Sequence, residues 1–591
     1  MVGAVTGYLA ATPSRRRRVL VFAFSVVLVA MVWIAYTPSQ KHAPRSDHWC
    51  FLIDTMKLRS LPEFISGSYS YNRTRITSPG DTDLFRPVLF ALLATEQWLF
   101  AGDLWIYQTI GMMLHCAVCL LLLGIFRQLA AFVPARAVDS EGEDPGWRQG
   151  AADWLPRALA AFFALNPAIQ ELVIWTHLHG YLLFLVLLFA SLILLFRHVA
   201  GPSAGSVRSL SLWGAWLLAL VAAFTYEMGQ FYAVLAGLFL AAAAYPRAGL
   251  ARGTFLFAMF AAIMPIYQGI NHYDLEVHRG KYVPDNVHES IAEQMFTRAT
   301  VKHSLHFAVY TGVQPFFPSL LQTSFSGGRL QIAESLWTQP LLKRSGPLAV
   351  VSALVLFLTA SLAGIGLAAI LWRGERLPIL ALCLLAGLFG VYAAMTVLGR
   401  MNLRPGPPML MSNSYYTYTA LALLLPLTFA AWQGVAHGTG TAASTARKTL
   451  VAGLVFLSFA GAEQVWQMNK GMAPEPIMKD MARPIHAIQL FVKQHVREPD
   501  FTIGIDYDAS DDVPTAYHVK VTDAIFHRWL SPKPKYWIAI RDGKAVVLTG
   551  PPRVRGSFVE PKPPRKPIGR SRQQVGGLAS RPGGGGDDVP D

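Results

Sequence analysis

The sequence predicts an α-helical polytopic membrane protein, with about eleven spanning helices and a small external α/β domain at its C-terminus. Three observations predict it. Hydrophobic residues make up 53% of the 591 and charged residues only 15%, against about 25% charged in a soluble domain, and mean hydropathy is +0.36. Apolar runs of spanning length recur along residues 19–465, and 466–550 switches to soluble helix and strand patterns.

The first run, Val19–Tyr36, follows "SRRRR" at Ser14–Arg18 and ends in Trp33 and Tyr36 with no small-residue cleavage site. It reads as a retained signal anchor, and its bulky aromatic end disfavours processing as a twin-arginine export signal. The other runs are Leu104–Phe126, Arg157–Trp175, Tyr181–Phe196, Leu210–Tyr226, Phe231–Tyr245, Thr254–Ile270, Pro347–Trp372, Leu377–Val397, Tyr415–Trp432 and Leu450–Val465. Each is close to the roughly 20 residues that cross about 30 Å of hydrocarbon.

"FRPVLFALLATEQWLF", Phe85–Phe100, resembles a span yet carries Arg86, Glu96 and Gln97. Cytoplasmic connectors collect Lys and Arg. With Arg15–Arg18 holding the N-terminus in the cytoplasm, the connectors bearing Arg197/Arg208, Arg247/Arg252, Arg373/Arg376 and Arg447/Lys448 fall inside only if Phe85–Phe100 does not cross. The stretch is therefore expected on the outer surface, burying its Phe, Leu and Val face while Arg86, Glu96 and Gln97 meet water or headgroups. External loops at 38–103 and 271–346 follow, within a transmembrane domain of residues 1–465.

Residues 466–550 are expected outside as an α/β domain. "PIHAIQLFVKQHV" reads as a helix, "FTIGIDY" as a strand and "KYWIAIRDGKAVVL" as a hairpin around Asp542-Gly543. Residues 551–591, rich in Pro, Gly and Arg, keep no apolar period and read as a disordered tail. The host membrane is expected to be a bacterial inner membrane.

Net charge is +15, but the basic residues sit at segment ends and in the tail, not on one soluble face, so nucleic acid is not an expected partner. Four cysteines form no disulfide framework: Cys116 and Cys119 lie within an apolar helix as small hydrophobes, and Cys50 is a lone thiol. His303 and His306 have no third ligand at diagnostic spacing, so no metal site is assigned. Asn72-Arg73-Thr74 is a glycosylation sequon on the outer side, and no Walker loop, dinucleotide fingerprint or tandem repeat is present.

Ionisable groups at membrane depth are costly unless paired or in a wet cavity. Here Asp47, Glu96, His115, Glu171, His177, His179 and Glu227 gather at the outer ends of the runs, as expected for one polar cavity opening outward. For any one of them the alternative is a hydrogen bond that ties two helices together.

"FRPVLFALLATEQWLFAGDLWIYQTIGMMLHCAVCLLLLGIFRQL" resembles the Arg-Pro segment of GT-C membrane glycosyltransferases, in the branch near protein O-mannosyltransferases. "ALAAFFALNPAIQELVIWTHLHGYLLFLVLLFASLILL" is similar to that family's next block, with Asn166 in place of a His and with Pro167, Glu171 and Trp175 in pattern. "AAFTYEMGQFYAVLAGLFL" resembles a block whose Lys-Glu is here Tyr226-Glu227, and "SDHWCFLIDTMKL" supplies Asp47 where relatives carry paired acids, the second being His48. The resemblance spans roughly residues 15–245.

It implies an inverting enzyme that passes a sugar from a polyprenyl phosphate to an acceptor hydroxyl of protein, lipid or surface glycan on the outer face. Such a reaction needs a base for the hydroxyl proton and cations for the departing phosphate. Asp47 is the candidate base. Asp54, seven residues on, is its competitor. Arg86, Lys57, Arg400 and Arg404 are candidates for the donor phosphate, with contact to lipid headgroups the alternative for the last three. Asp54, Glu96, His115, Glu171, Trp175, His177, Glu227, Tyr415 and Tyr416 are expected around the substrate cavity. A divalent metal is not supported, because His48 breaks the acid pair. The competing class is a transporter or flippase of a lipid-linked saccharide, which would also need a polar cavity within a helical bundle.

Overall fold

The computed structural model describes residues 13–41, 60–63, 65, 85–100, 104–132, 145–201, 206–278, 298–317, 346–398, 414–436, 441–471, 476–511, 519, 522–523, 525–526 and 529–550. The apolar runs fold as helices: α1 Pro13–Tyr36, α3 Leu104–Ala130, α4 Pro145–Ala164, α6 His179–Ala200, α7 Leu210–Thr225, α8 Met228–Ala261, α9 Ile263–His278, α11 Gly346–Arg373, α12 Arg376–Leu398, α13 Ser414–Ala436 and α14 Thr441–Gly471. α2 is Pro87–Phe100, and the short α5, Gln170–Ile174, follows α4. The chain is a multi-pass helical membrane protein. Among the described residues, eight helices are long and apolar enough to cross a membrane, or nine if the bent pair described next is one span.

Three places depart from the eleven simple spans. The run Arg157–Trp175 is bent by 53° between Trp154–Ala164 and Pro167–Ile174. Pro167 has no N–H to continue the ladder, and Asn166 caps the new turn by accepting the Ala168 N–H at 2.9 Å. α14 fits into the break: a Cβ on Gly461 would stand 2.3 Å from the Leu165 carbonyl oxygen. Second, 228–274 forms one apolar stretch interrupted at Gly249, whose φ of 74° no helix allows. Third, α7 has only 16 residues, about 24 Å at 1.5 Å per residue.

α2 bears on the sidedness argument. With 14 residues it is about 21 Å long, short of about 30 Å of hydrocarbon. Its orientation corrects the sequence reading, because Glu96 and Gln97 are buried while Trp98 and Leu99 are exposed. In the last turn of α2, Glu96 and Gln97 face the protein and Trp98 and Leu99 face outward.

α10, Arg298–Val313, lies in the stretch read as an external loop. Phe307 packs it against Tyr392 of α12, and Gly312 faces Leu424 of α13.

At the C-terminus, α15, Pro476–His495, covers a three-stranded sheet of β1 Ile503–Ile505, β2 Tyr536–Arg541 and β3 Lys544–Leu548 in the order β1-β2-β3. β1 pairs in parallel with β2, Ile503 against Tyr536, and β2 runs antiparallel to β3, Arg541 against Lys544. Asp542 and Gly543 both take positive φ, 49° and 68°, as a two-residue hairpin turn of matching twist requires. Ile488, Phe491 and Val492 bury one face of α15 on Ile503, Ile538 and Ile540, and Tyr107 of α3 enters the same cluster with Phe100 of α2 beside it. Each large apolar side chain buried there is worth about 1.5–3 kcal/mol, so the cluster fastens the C-terminal sheet to the ends of α2 and α3.

Candidate functional site

Asp47, Asp54, Lys57, Arg400 and Arg404 lie outside the described residues, as does Cys50, and at His177 and Tyr415 only the backbone is described. The remaining candidates fall into four groups.

The first is built on Arg86 and Glu227, 141 residues apart. Arg86 precedes Pro87, which starts α2 without needing an N–H partner. The neighbouring Phe85 is buried against Phe224 and Tyr267, and its carbonyl accepts the Tyr267 hydroxyl at 3.0 Å. Glu227 sits in the tight turn between α7 and α8, where Gly229 donates to the Tyr226 carbonyl at 2.8 Å. A Cβ on Gly229 would meet Ala223 N at 2.4 Å, so the close return of the chain requires glycine. Arg86 Nε donates to both Glu227 carboxylate oxygens, at 2.8 and 2.9 Å. The guanidinium stacks on Tyr226, 4.6 Å from its ring centre, and Nη1 reaches the Tyr181 hydroxyl at 3.4 Å. The two side chains are 11% and 15% exposed. Arg86 therefore does not lie open to headgroups along a surface helix.

The second group is Glu96 with His179. Both carboxylate oxygens lie 3.0 Å from His179 Nδ1, and both residues are buried. His179 Nε2 has no hydrogen-bond partner among the described residues and is packed beside Gly111. Glu96 is thus held by a histidine and does not meet water.

His115 forms the third. Its Nδ1 accepts the Tyr418 hydroxyl at 2.7 Å, and its Nε2 donates to the Ala164 carbonyl at 2.9 Å. Both nitrogens are used, so His115 binds α3 to α13 and α4. It has no nitrogen left for a substrate, and the interhelical alternative describes it.

The fourth group surrounds the bend. Asn166, which stands where the resembled family has His, donates to the Pro315 carbonyl at 2.9 Å while capping its own turn. Its amide is spent on structure. Gln170 donates to Asn469 at 2.6 Å, and Asn469 donates to the Ala35 carbonyl at 3.3 Å, which joins the bend to α14 and α1. Glu171 lies in the first turn of α5, and its carbonyl accepts the Trp175 N–H at 3.0 Å. Tyr416, at the start of α13, is buried, and its carbonyl accepts the Tyr392 hydroxyl at 3.0 Å.

Sequence reasoning passed over Tyr181 and Tyr226 as partners of Arg86. The available signal was their position, Tyr226 beside Glu227 and Tyr181 two residues after His179. Among the described residues no three His, Cys, Asp or Glu side chains come together as metal ligands. His303 and His306 face each other with ring centres 6.4 Å apart.

No family model matches the chain, and no curated protein matches it. Among solved structures it is similar to the crystal structure of ArnT from Cupriavidus metallidurans in the apo state. The two are 15% identical, the match covers 87% of this chain and 86% of that one, and the TM-score is 0.32. A TM-score of that size places no residue of this chain.

Proposed function

We propose that the protein is a GT-C type membrane glycosyltransferase that moves a sugar from a polyprenyl-phosphate donor to an acceptor hydroxyl on the outer face of a bacterial inner membrane, with inversion. The observation that carries the reading is the meeting of Arg86 with Glu227, Tyr181 and Tyr226. Two of the motif blocks that resemble the family, far apart in sequence, thereby converge on one half-buried guanidinium.

In this reading Asp47 takes the proton of the acceptor hydroxyl. The hydroxyl oxygen attacks the anomeric carbon from the face opposite the phosphate, the glycosidic C–O bond breaks, and polyprenyl phosphate departs with the bonding electrons. Arg86 neutralises the phosphate oxygens, assisted by Lys57, Arg400 and Arg404. A guanidinium suits this role because two of its N–H groups can bond one phosphate. Glu171, Trp175, His177, Tyr415 and Tyr416 line the approach, and residues 466–550 form an external domain against it.

A lipid-linked saccharide transporter remains the second reading, favoured by the bend at Asn166-Pro167, since broken helices mark such proteins. Purified protein given radiolabelled polyprenyl-phosphate sugars separates the two. Release of polyprenyl phosphate that depends on acceptor supports the transferase. Transbilayer movement of intact donor without release supports the transporter.

A further inference from the structure

The Arg86 guanidinium has two edges, and the fold uses only one. Nε faces Glu227 and bonds both of its oxygens. Nη1 has a single long contact, 3.4 Å to Tyr181. Nη2 bonds nothing among the described residues. The plane is fixed as well, by Tyr226 at 4.6 Å and Tyr181 at 5.5 Å from the guanidinium carbon to the ring centres. The base of the side chain is set by Pro87 and buried Phe85, and Glu227 is set by the turn that needs Gly229.

From this arrangement we infer that Glu227 is a positioning residue: it occupies the Nε edge of Arg86 so that the Nη1/Nη2 edge is presented, in a fixed plane, to the phosphate of the lipid-linked donor. The inference rests on the donor reading above and adds a division of labour to it. Glu227 touches no substrate. An arginine lacking this partner would spread its five donors over many rotamers and approach the phosphate with any of them. Holding one edge pre-orients the other for a two-point contact.

A purely structural ion pair would look the same in the folded protein but respond differently to exchange of the two charges. The test uses full-length protein in nanodiscs, with polyprenyl phosphate as the binding probe, donor KM and kcat as kinetic readouts, and thermal melting as the fold readout. Glu227→Gln keeps one oxygen for Nε and is expected to fold, to bind polyprenyl phosphate about ten-fold more weakly, and to show the loss mainly in donor KM. The exchanged double variant Arg86→Glu/Glu227→Arg restores the pair, with its guanidinium on the α7–α8 turn. It is expected to melt above either single variant, Arg86→Glu or Glu227→Arg, yet to recover no binding.

Recovery of binding by the exchanged pair, or wild-type affinity in Glu227→Gln, overturns the inference. So does wild-type protein that fails to bind polyprenyl phosphate. Wild-type protein that binds the probe and is weakened by Glu227→Gln, but turns over no donor, supports this inference while rejecting the transferase.

Discussion

Both carboxylate oxygens of Glu96 lie 3.0 Å from Nδ1 of His179, across 83 residues of chain, with neither residue exposed. This contact turns the Glu96 face of the last turn of α2 toward α6 and leaves Trp98 and Leu99 outward. Replacing Glu96 with Ala strands a buried imidazole, a loss of about 1–3 kcal/mol. Gln, which keeps an acceptor oxygen, should lose well under 1 kcal/mol. Thermal melting of the solubilised protein should rank wild type, Gln and Ala in that order. An Ala variant that melts with wild type would show that the contact holds nothing.

That relationship also marks where the sequence stops being informative. The apolar runs became helices because twenty lipophilic residues leave the backbone no other way to satisfy its polar groups in hydrocarbon, and Asp542-Gly543 became a hairpin turn because few other pairs accept two positive φ values. The facing of α2 was not legible, since rotating a helix by half a turn changes no residue in it. What decides the rotation is His179, far along the chain. Likewise Arg86 and Glu227 were each identifiable as polar groups near the ends of apolar runs, but only tertiary packing pairs them. The bend at Asn166-Pro167 had a local signal in the proline, masked by an apolar run long enough to pass as one straight span. α10 was missed because its polar residues, Lys302, His303, Ser304 and His306, dilute the apolar pattern.

Gly111 allows α3 to approach the chain before α6. A Cβ there would meet the Val173 carbonyl oxygen at 2.4 Å and His179 Nε2 at 3.0 Å, whereas a Cβ on Gly390 meets nothing within 4 Å. Gly111→Ala should therefore destabilise by about 1–3 kcal/mol through overpacking, and Gly390→Ala should be neutral or stabilise by up to about 1 kcal/mol. Melting curves of the two variants test the contrast, and equal shifts would contradict the close packing of α3.

Glu498 joins α15 to β2. Lys535 donates to it at 2.8 Å and Tyr536 at 2.7 Å, and His495 lies 2.6 Å from its other oxygen. The hydrogen bond from Lys535, followed by those from His495 and Tyr536, pulls its pKa from 4.5 down to about 2. Because the folded value is the lower one, the stabilisation is complete above pH 4.5 and is lost as pH falls from there toward 2. Backbone exchange protection around β1 should decline through that window in wild type, after correction for the intrinsic rate. In Glu498→Gln the decline should be flatter. An identical pH profile in the variant would rule out Glu498 as its source.

The sidedness expected from the arginine-bearing connectors can be tested directly. Reporter fusions at Pro145, Ser203 and Gly471 should read inside, inside and outside, with the N-terminus cytoplasmic. A crossing by α2 would reverse every later connector. An outside reading at Ser203 would put residues 466–550 in the cytoplasm and move the proposed chemistry to the wrong face.

The base of the proposed reaction is to be sought between two acids in the stretch expected to be the first external loop. Asp47 follows α1 and the short turn Thr37–Lys41, and it matches the acid position of the resembled family, whereas Asp54 is seven residues further on. Changing a carboxylate to its amide preserves shape and removes proton acceptance, and a positioned base contributes roughly 10²–10⁴ in rate. Asp47→Asn should accordingly lower kcat by that factor while leaving expression and polyprenyl-phosphate binding intact, and Asp54→Asn should lose much less. If the loss instead follows Asp54, the base is Asp54. If both variants keep their activity, proton abstraction by this loop is not part of the mechanism.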